Sequence, residues 1–298
     1  MIPTTGTIFN LIEQIAQQLA PRYEDYMLCH QYAWWMVQAI KNESQASLIG
    51  HSTIHLTPDQ RNTLCLWIEK QLKEHMPLQY LLGSVPFNDV EIFVESPILI
   101  PRPETEEWCA ELIAKLKNAQ IEKINILDLC SGSGCITLAL AKALPCSSLV
   151  GVDILEQAVV LGRKNAQHNK ISNVQFLHSD LFEQVPPSSF DIIVSNPPYI
   201  DEQEWRYLDT SVTKWEDKNA LIASDNGLAI IKKIIMNAHR YLSQNKKLSQ
   251  QNIPQLWIEI DHTQGAAVKE LMEAAGFANV RVMQDLERKD RVVTGNVL

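Results

Sequence analysis

An asparagine, two prolines and a tyrosine follow the apolar run FDIIVS in the stretch SNPPYI, residues 195 to 200. Asn196 precedes a proline, which biases it away from helical backbone, and Pro197 and Pro198 have a fixed φ and no N–H. The turn therefore offers carbonyl oxygens with few competing donors, and Asn196 adds an amide oxygen. A stiff acceptor pair of this kind suits a grip on an –NH₂ group carried by a planar, conjugated carbon, with Tyr199 as a flat face to stack on that plane. A carboxamide nitrogen is a poor nucleophile because its lone pair is delocalised. Accepting both of its N–H bonds polarises it, and holding it in line at roughly 3–3.5 Å from an electrophile lowers the barrier by many kcal/mol. The chemistry expected of this turn is alkyl transfer to an amide or similar amine.

A second constellation supplies the electrophile. DLCSGSG, residues 128 to 134, ends an apolar strand and opens a helix, and small residues there let a ligand approach free backbone N–H groups. Asp153 ends the next strand in GVDI, 25 residues after Asp128, where a carboxylate can accept both hydroxyls of a ribose. Dinucleotide enzymes share this arrangement, but their third glycine would fall at Thr137, so GxGxxG is not met. Asp128, at the start of the loop, suits the ammonium of an amino-acid cofactor and would repel a pyrophosphate. S-adenosylmethionine is expected rather than NAD, with S-adenosylhomocysteine as its product. SDLF follows the third strand, placing Asp180 to meet an adenine amino group and Leu181 to cover the ring.

These motifs need elements to carry them. Strand candidates are INILDL (124–129), SLVGVDI (148–154), NVQFLH (173–178), FDIIVS (190–195), QLWIEI (255–260) and VRVMQD (280–285). Between them run helices, one carrying Ile231, Ile234, Ile235, Ala238 and Leu242, another Val268, Leu271, Met272 and Ala275. Apolar strands alternating with helices predict a mostly parallel sheet covered on both faces, with ligands at the carboxyl ends of its strands. The first 76 residues read instead as helices. Ile8, Leu11, Ile12, Ile15 and Leu19 share one helical face; YMLCHQYAWWMVQAI is a second helix; Thr57, Pro58 and Gln60 cap a third that buries Leu64, Trp67, Ile68 and Leu72. Trp34 and Trp35 are expected in the core, with docking of a partner as the other use. Residues 77 to 101 form a hairpin-like connector with a turn at Asn88 and Asp89.

Composition narrows the partners. The chain has 298 residues, 20% of them charged, and a net charge of −9, which argues against holding nucleic acid on a basic face. There is no basic signal region and no membrane-length apolar run. Six cysteines without a CxxC pair read as reduced thiols in a cytoplasmic protein, and His51 and His55 as surface loop residues rather than metal ligands; no metal site is expected.

The quoted motifs together with PLQYLLG (77–83), LIPRPETE (99–106), DLCSGSGCI (128–136) and the closing DLERKDRVV (285–293) resemble the PrmC/HemK family of N5-glutamine methyltransferases nearly end to end. NPPY alone is shared with enzymes that methylate exocyclic amines of DNA bases. The resemblance implies a seven-stranded, mostly parallel S-adenosylmethionine-dependent methyltransferase sheet behind a small all-helical N-terminal domain. It implies that Cys130, Ser131, Gly132, Ser133, Gly134, Asp153, Leu181 and Asn196 contact the cofactor while Asn196, Pro197, Pro198 and Tyr199 hold the acceptor. It further implies methylation of the glutamine in the GGQ motif of peptide chain release factors, proteins of translation termination. The expected division is a helical release-factor-docking domain over residues 1–84, with the connector starting near 77, and a catalytic domain over 85–298. Cys130 stands where many methyltransferases have a glycine, and Ala223, Ser224 and Asn226 depart from the family pattern in a loop outside the cofactor motifs, where they bear on substrate fit. Other readings are a ribosomal-protein glutamine methyltransferase, a nucleic-acid adenine methyltransferase without its basic recognition face, and a partner-binding scaffold without activity.

Overall fold

The structure, a computed structural model, describes residues 2–186 and 190–297. The chain divides into two compact units, one running up to Gly83 and including Asp209–Trp215, the other comprising Ser84–Leu208 and the chain from Glu216 onward.

The first unit is built on α1 (Ile8–Leu19), α2 (Tyr26–Lys41) and α3 (Pro58–Glu69). Thr57 accepts from the Gln60 backbone at 3.2 Å while the Gln60 side chain accepts from the Thr57 N–H at 3.0 Å, completing the expected capping box. The predicted face of α1 is buried in full, and Leu64 and Ile68 of α3 join the same core, while Trp67 and Leu72 pack at its edge. Trp34 also lies partly buried against it. Trp35, in contrast, is 37% exposed and stacks on Tyr32, so it is not a core residue. Asp209–Trp215 joins this unit through an Arg22–Asp209 ion pair and a Trp215 Nε1–H bond of 3.0 Å to the Glu74 carbonyl.

The second unit begins with a hairpin, β1 (Ser84–Phe87) and β2 (Val90–Phe93), turning through Asn88 and Asp89. Then follow α4 (Pro103–Asn118), β3 (Asn125–Leu129), α5 (Cys135–Ala143), β4 (Ser148–Asp153), α6 (Glu156–His168), β5 (Val174–His178), β6 (Ile192–Ser195), α7 (Ala229–Ala238), β7 (Leu256–Glu259), α8 (Gly265–Ala274), β8 (Ala278–Gln284) and β9 (Asp290–Asn296). The strands form one seven-stranded sheet in the order β8-β9-β7-β6-β3-β4-β5. Every strand is parallel except β9, which pairs antiparallel with both neighbours.

The central strands β6 and β7 are buried at every position, because helices cover both faces; this is why they read as continuous apolar runs rather than alternating ones. The six sequence-predicted strands all form, with ends shifted by one or two residues. The strand absent from that set is β9. Its sequence DRVVTGN carries two apolar residues among polar ones, and its place is set by pairing with β7 and β8 rather than by local preference. Order along the sheet reverses after β5: the chain crosses back over β3 to lay down β6 on its other side. The switch point, where ligands bind in such folds, lies between the carboxyl ends of β3 and β6.

Candidate active site

Leu129, the last residue of β3, pairs with Ser195, the last of β6, so Cys130 and Asn196 leave the sheet side by side. A cavity of about 460 Å³ opens there, within the range of small-molecule sites. Cys130, Gly132, Asp153, Asp180, Leu181, Asn196 and Pro198 line it. Pro197 and Tyr199, with Asn196, line a small recess beside Leu99 and Arg102.

Each part of the wall is held for a local reason. Asp153 Oδ2 accepts from the Gly132 N–H at 2.8 Å and Oδ1 from the Leu155 N–H at 2.9 Å. Each oxygen thus keeps acceptor capacity for a hydroxyl. Asn165, fully buried on α6, donates to the Ser133 carbonyl at 2.9 Å and also exchanges bonds with the Phe93 backbone, fixing the loop against the hairpin. Leu181 has φ +47°, a left-handed conformation that a leucine avoids unless its surroundings impose it. The Ser179 hydroxyl holds that turn by donating to the Leu181 carbonyl at 3.1 Å and accepting from the Gln184 N–H at 2.8 Å.

The expected cofactor residues thus divide by location. Cys130 and Gly132 face the cavity, whereas Ser131 and Ser133 are buried off its wall. Gly134 has a different constraint: a Cβ there would stand 2.8 Å from the Phe176 ring and 3.3 Å from the Gly162 Cα, so its smallness lets α5 and α6 close on β5. Cys130 adopts φ +60°, and burial pushes its thiol well up, so it stays protonated and is no nucleophile.

Asp128 does not reach the cavity wall. It lies behind the loop, where Oδ2 accepts from the Thr137 hydroxyl at 2.6 Å and from the Thr137 N–H at 3.1 Å, tying down the first turn of α5. Among the described residues, its Oδ1 and the Ser131 hydroxyl are buried without partners. Burial raises the Asp128 pKa to about 7, against the lowering by the Thr137 bonds. The half-used Asp153 carboxylate on the wall, beside the small residues Cys130 and Gly132, is an acceptor set that fits the hydroxyls of a nucleoside ribose.

The raised Asp128 pKa has a measurable sign. Below about pH 4 both folded and unfolded chains hold the proton; between there and pH 7 only the folded chain does, so stability falls as pH rises. Asp128→Asn removes that loss. Denaturant titrations without cofactor should show the variant gaining more than about 1 kcal/mol on wild type between pH 5 and pH 8. A pH-independent difference would contradict an ionisation at this position.

At the turn, an asparagine side chain ordinarily accepts from the N–H two residues on, but that residue is Pro198 and has none. Asn196 Nδ2 donates to Thr105 Oγ1 at 3.1 Å, and among the described residues Asn196 Oδ1 and the Pro197 carbonyl accept from nothing. The Tyr199 hydroxyl donates to Glu259 Oε1 at 3.3 Å; burial first, then the Glu259 charge, hold the phenol far above its usual pKa. Gln264 Nε2 donates to the Tyr199 carbonyl at 2.9 Å and to the Asn226 carbonyl at 3.1 Å. Ile200–Asp201 pairs in parallel with Ile222–Ala223, so the turn and the loop after it form one piece.

That loop corrects an expectation: Ala223 and Ser224 do not lie apart from the cofactor motifs but line the same cavity. Sequence reasoning also missed Thr105, Trp108 and Glu259. Thr105 lies inside LIPRPETE, and Glu259 ends the apolar run QLWIEI at a strand's carboxyl end, a signal that could have marked it.

Residues 109–253 match the family model described as methyltransferase small domain. Among solved structures, a Thermus thermophilus 16S rRNA N2 G1207 methyltransferase, in complex with AdoMet and guanosine, superposes with a TM-score of 0.50 at 18% identity, covering 72% of this chain and 50% of that one. The hMettl16 catalytic domain, in complex with a MAT2A 3′UTR hairpin, gives 0.50 at 16%, covering 89% and 90%. Sheet order, cavity and family model define a methyltransferase of the class that uses S-adenosylmethionine. Release factor glutamine methyltransferases are similar over most of their length: that of Lactococcus lactis is 37% identical over 79% of this chain and 83% of its own, and that of Escherichia coli 32% over 87% and 89%. The chain belongs to the release factor glutamine methyltransferase family.

Proposed function

We propose that this chain transfers a methyl group from S-adenosylmethionine to the side-chain amide nitrogen of the glutamine in the GGQ motif of peptide chain release factors, in the cytoplasm. The observation that carries this reading is the pair of uncommitted acceptors, Asn196 Oδ1 and the Pro197 carbonyl, where the cofactor cavity adjoins the recess beneath Tyr199. Bound in the cavity, S-adenosylmethionine supplies an electrophilic methyl group on a sulfonium.

In this reading the chain's own residues position and polarise. Asp153 accepts from the ribose hydroxyls, Cys130 and Gly132 with their buried neighbours Ser131, Ser133 and Gly134 form the cofactor loop, Asp180 meets the adenine amino group, and Leu181 covers the ring. Asn196 Oδ1 and the Pro197 carbonyl each accept one N–H of the glutamine amide, drawing electron density toward its nitrogen and fixing its direction. Pro198 withholds a competing donor, and Tyr199 packs against the amide plane. No side chain need act as a strong base before transfer: the amide proton becomes acidic only once the nitrogen carries the methyl group, and it can then leave through the acceptors to water. A dry pocket favours this step because the sulfonium charge disperses in the transition state. The helical unit is proposed to dock the release factor, and the net charge of −9 accords with a protein partner rather than nucleic acid.

Labelled S-adenosylmethionine and purified release factor test the proposal: label should enter the factor and be lost when its GGQ glutamine is replaced. Absence of incorporation into the unaltered factor would overturn it. Asp153→Ala should raise the cofactor Kd by about 10–100-fold in calorimetry, since it removes charge-assisted bonds of roughly 1.5–3 kcal/mol. An unchanged Kd would contradict the ribose assignment.

A further inference from the structure

Behind Asn196 runs a buried chain of hydrogen bonds that joins three elements. Glu259 Oε2, at the end of β7, accepts from Trp108 Nε1–H at 2.8 Å and from the Thr105 hydroxyl at 2.7 Å; Thr105 Oγ1 lies 3.1 Å from Asn196 Nδ2. Thr105, Trp108 and Glu259 are each at most 3% exposed, so water does not compete for these groups.

Counting hydrogens along the chain leaves one arrangement. An indole N–H can only donate, so Trp108 makes Glu259 Oε2 an acceptor, and in its ionised form the Glu259 carboxylate has no hydrogen to give to Thr105. The hydrogen-bond partner left for the single Thr105 hydroxyl hydrogen at 2.7 Å is that same oxygen. With its hydrogen spent, Thr105 Oγ1 can only accept, and what it accepts must be an N–H of the Asn196 amide. The NH₂ end of Asn196 is thereby turned inward and the carbonyl end outward. An asparagine amide is nearly symmetric in shape, so sterics alone would not choose between the two senses; rotated by half a turn, Asn196 would present donors to an incoming –NH₂ and repel it.

We propose that Thr105, held by Glu259, is a positioning residue that fixes the sense of the Asn196 amide and so keeps its oxygen available to the substrate. The inference rests on the reading of Asn196 as the amide acceptor. It also gives a physical use to LIPRPETE: the motif starts α4 with Pro103 in its first turn, which brings Thr105 two residues later to the end of β7 and β6.

The decisive experiment has a readout that needs no substrate. In the full-length protein, the Asn196 side-chain amide protons, assigned by their loss in Asn196→Ala, should exchange with solvent at least about 10-fold faster in Thr105→Val than in wild type or Thr105→Ser, because the acceptor is gone. Turnover on release factor should fall about 10–100-fold in Thr105→Val, with the cofactor Kd and the KM for release factor within about threefold, and Thr105→Ser should restore it. Should the valine variant fold poorly, Thr105→Ala gives the same comparison. Unchanged amide exchange and turnover in a folded variant lacking the hydroxyl would overturn the inference, as would a serine variant as impaired as the valine one, which would mark the methyl group and not the hydroxyl. Failure of the wild-type protein to methylate release factor would instead strike the proposed function, and the exchange measurement would still decide the orientation.

Discussion

Asn196→Ala should slow methyl transfer by about 10²–10³-fold while cofactor affinity changes little, because the lost oxygen acts on the acceptor amide when it is being positioned. The fold should survive. The Asn196 side chain contributes one bond to the interior, 3.1 Å from Nδ2 to Thr105, and losing it costs only about 1 kcal/mol. The expected signature is therefore a large fall in single-turnover rate, a melting temperature within a few degrees of wild type, and an unchanged calorimetric Kd for S-adenosylmethionine. A variant that kept turnover within a fewfold would remove the amide grip from the mechanism. One that lost cofactor binding in proportion would move Asn196 from holding the acceptor to holding the donor.

Gly227→Ala should do damage of another kind. Gly227 has φ +79°, and an added Cβ would stand 1.9 Å from the Tyr199 carbonyl oxygen and 2.6 Å from Gln264 Nε2. Neither neighbour is free to yield: the carbonyl belongs to the proline-stiffened turn, and Gln264 bridges it to the Asn226 carbonyl. Relief must come from moving the turn itself, so both stability and turnover should fall, stability by roughly 2–4 kcal/mol. Gly132 provides the contrast within the same protein. Its φ is +52°, but nothing lies within 4 Å of where a Cβ would stand, so Gly132→Ala meets only the backbone penalty of about 1 kcal/mol. Equal losses in unfolding titrations of the two variants would show that conformational strain alone, and not the collision with Tyr199, governs position 227.

Both predictions concern one turn whose acceptor character was legible in four letters. Prolines without N–H groups, an amide oxygen and an aromatic ring are properties of residue types, and apolar runs broken at regular intervals mark strands that helices must cover. The six strands and the capping box around Thr57 followed from such local signals. The loop DLCSGSG and Asp153 were readable for the same reason, since their positions at strand ends follow once the strands are placed.

What the sequence could not supply were relations between residues far apart along it. Asp128 and Asp153 look alike as carboxylates near the ends of neighbouring strands, yet Asp153 stands on the cavity wall while Asp128 lies behind it, bonded through one oxygen to Thr137. Ala223 and Ser224 reach the cavity only because Ile222–Ala223 pairs with Ile200–Asp201. The strand β9 exists because two neighbours offer it hydrogen bonds. Thr105 and Glu259 lie 154 positions apart, and their 2.7 Å bond is fixed by the packing of α4 against β7. Residue type determined which groups this protein could offer, a rigid acceptor pair and a loop of small residues at a strand end. Tertiary packing decided which way the Asn196 amide faces, because that depends on where single hydrogens go once the interior has excluded water.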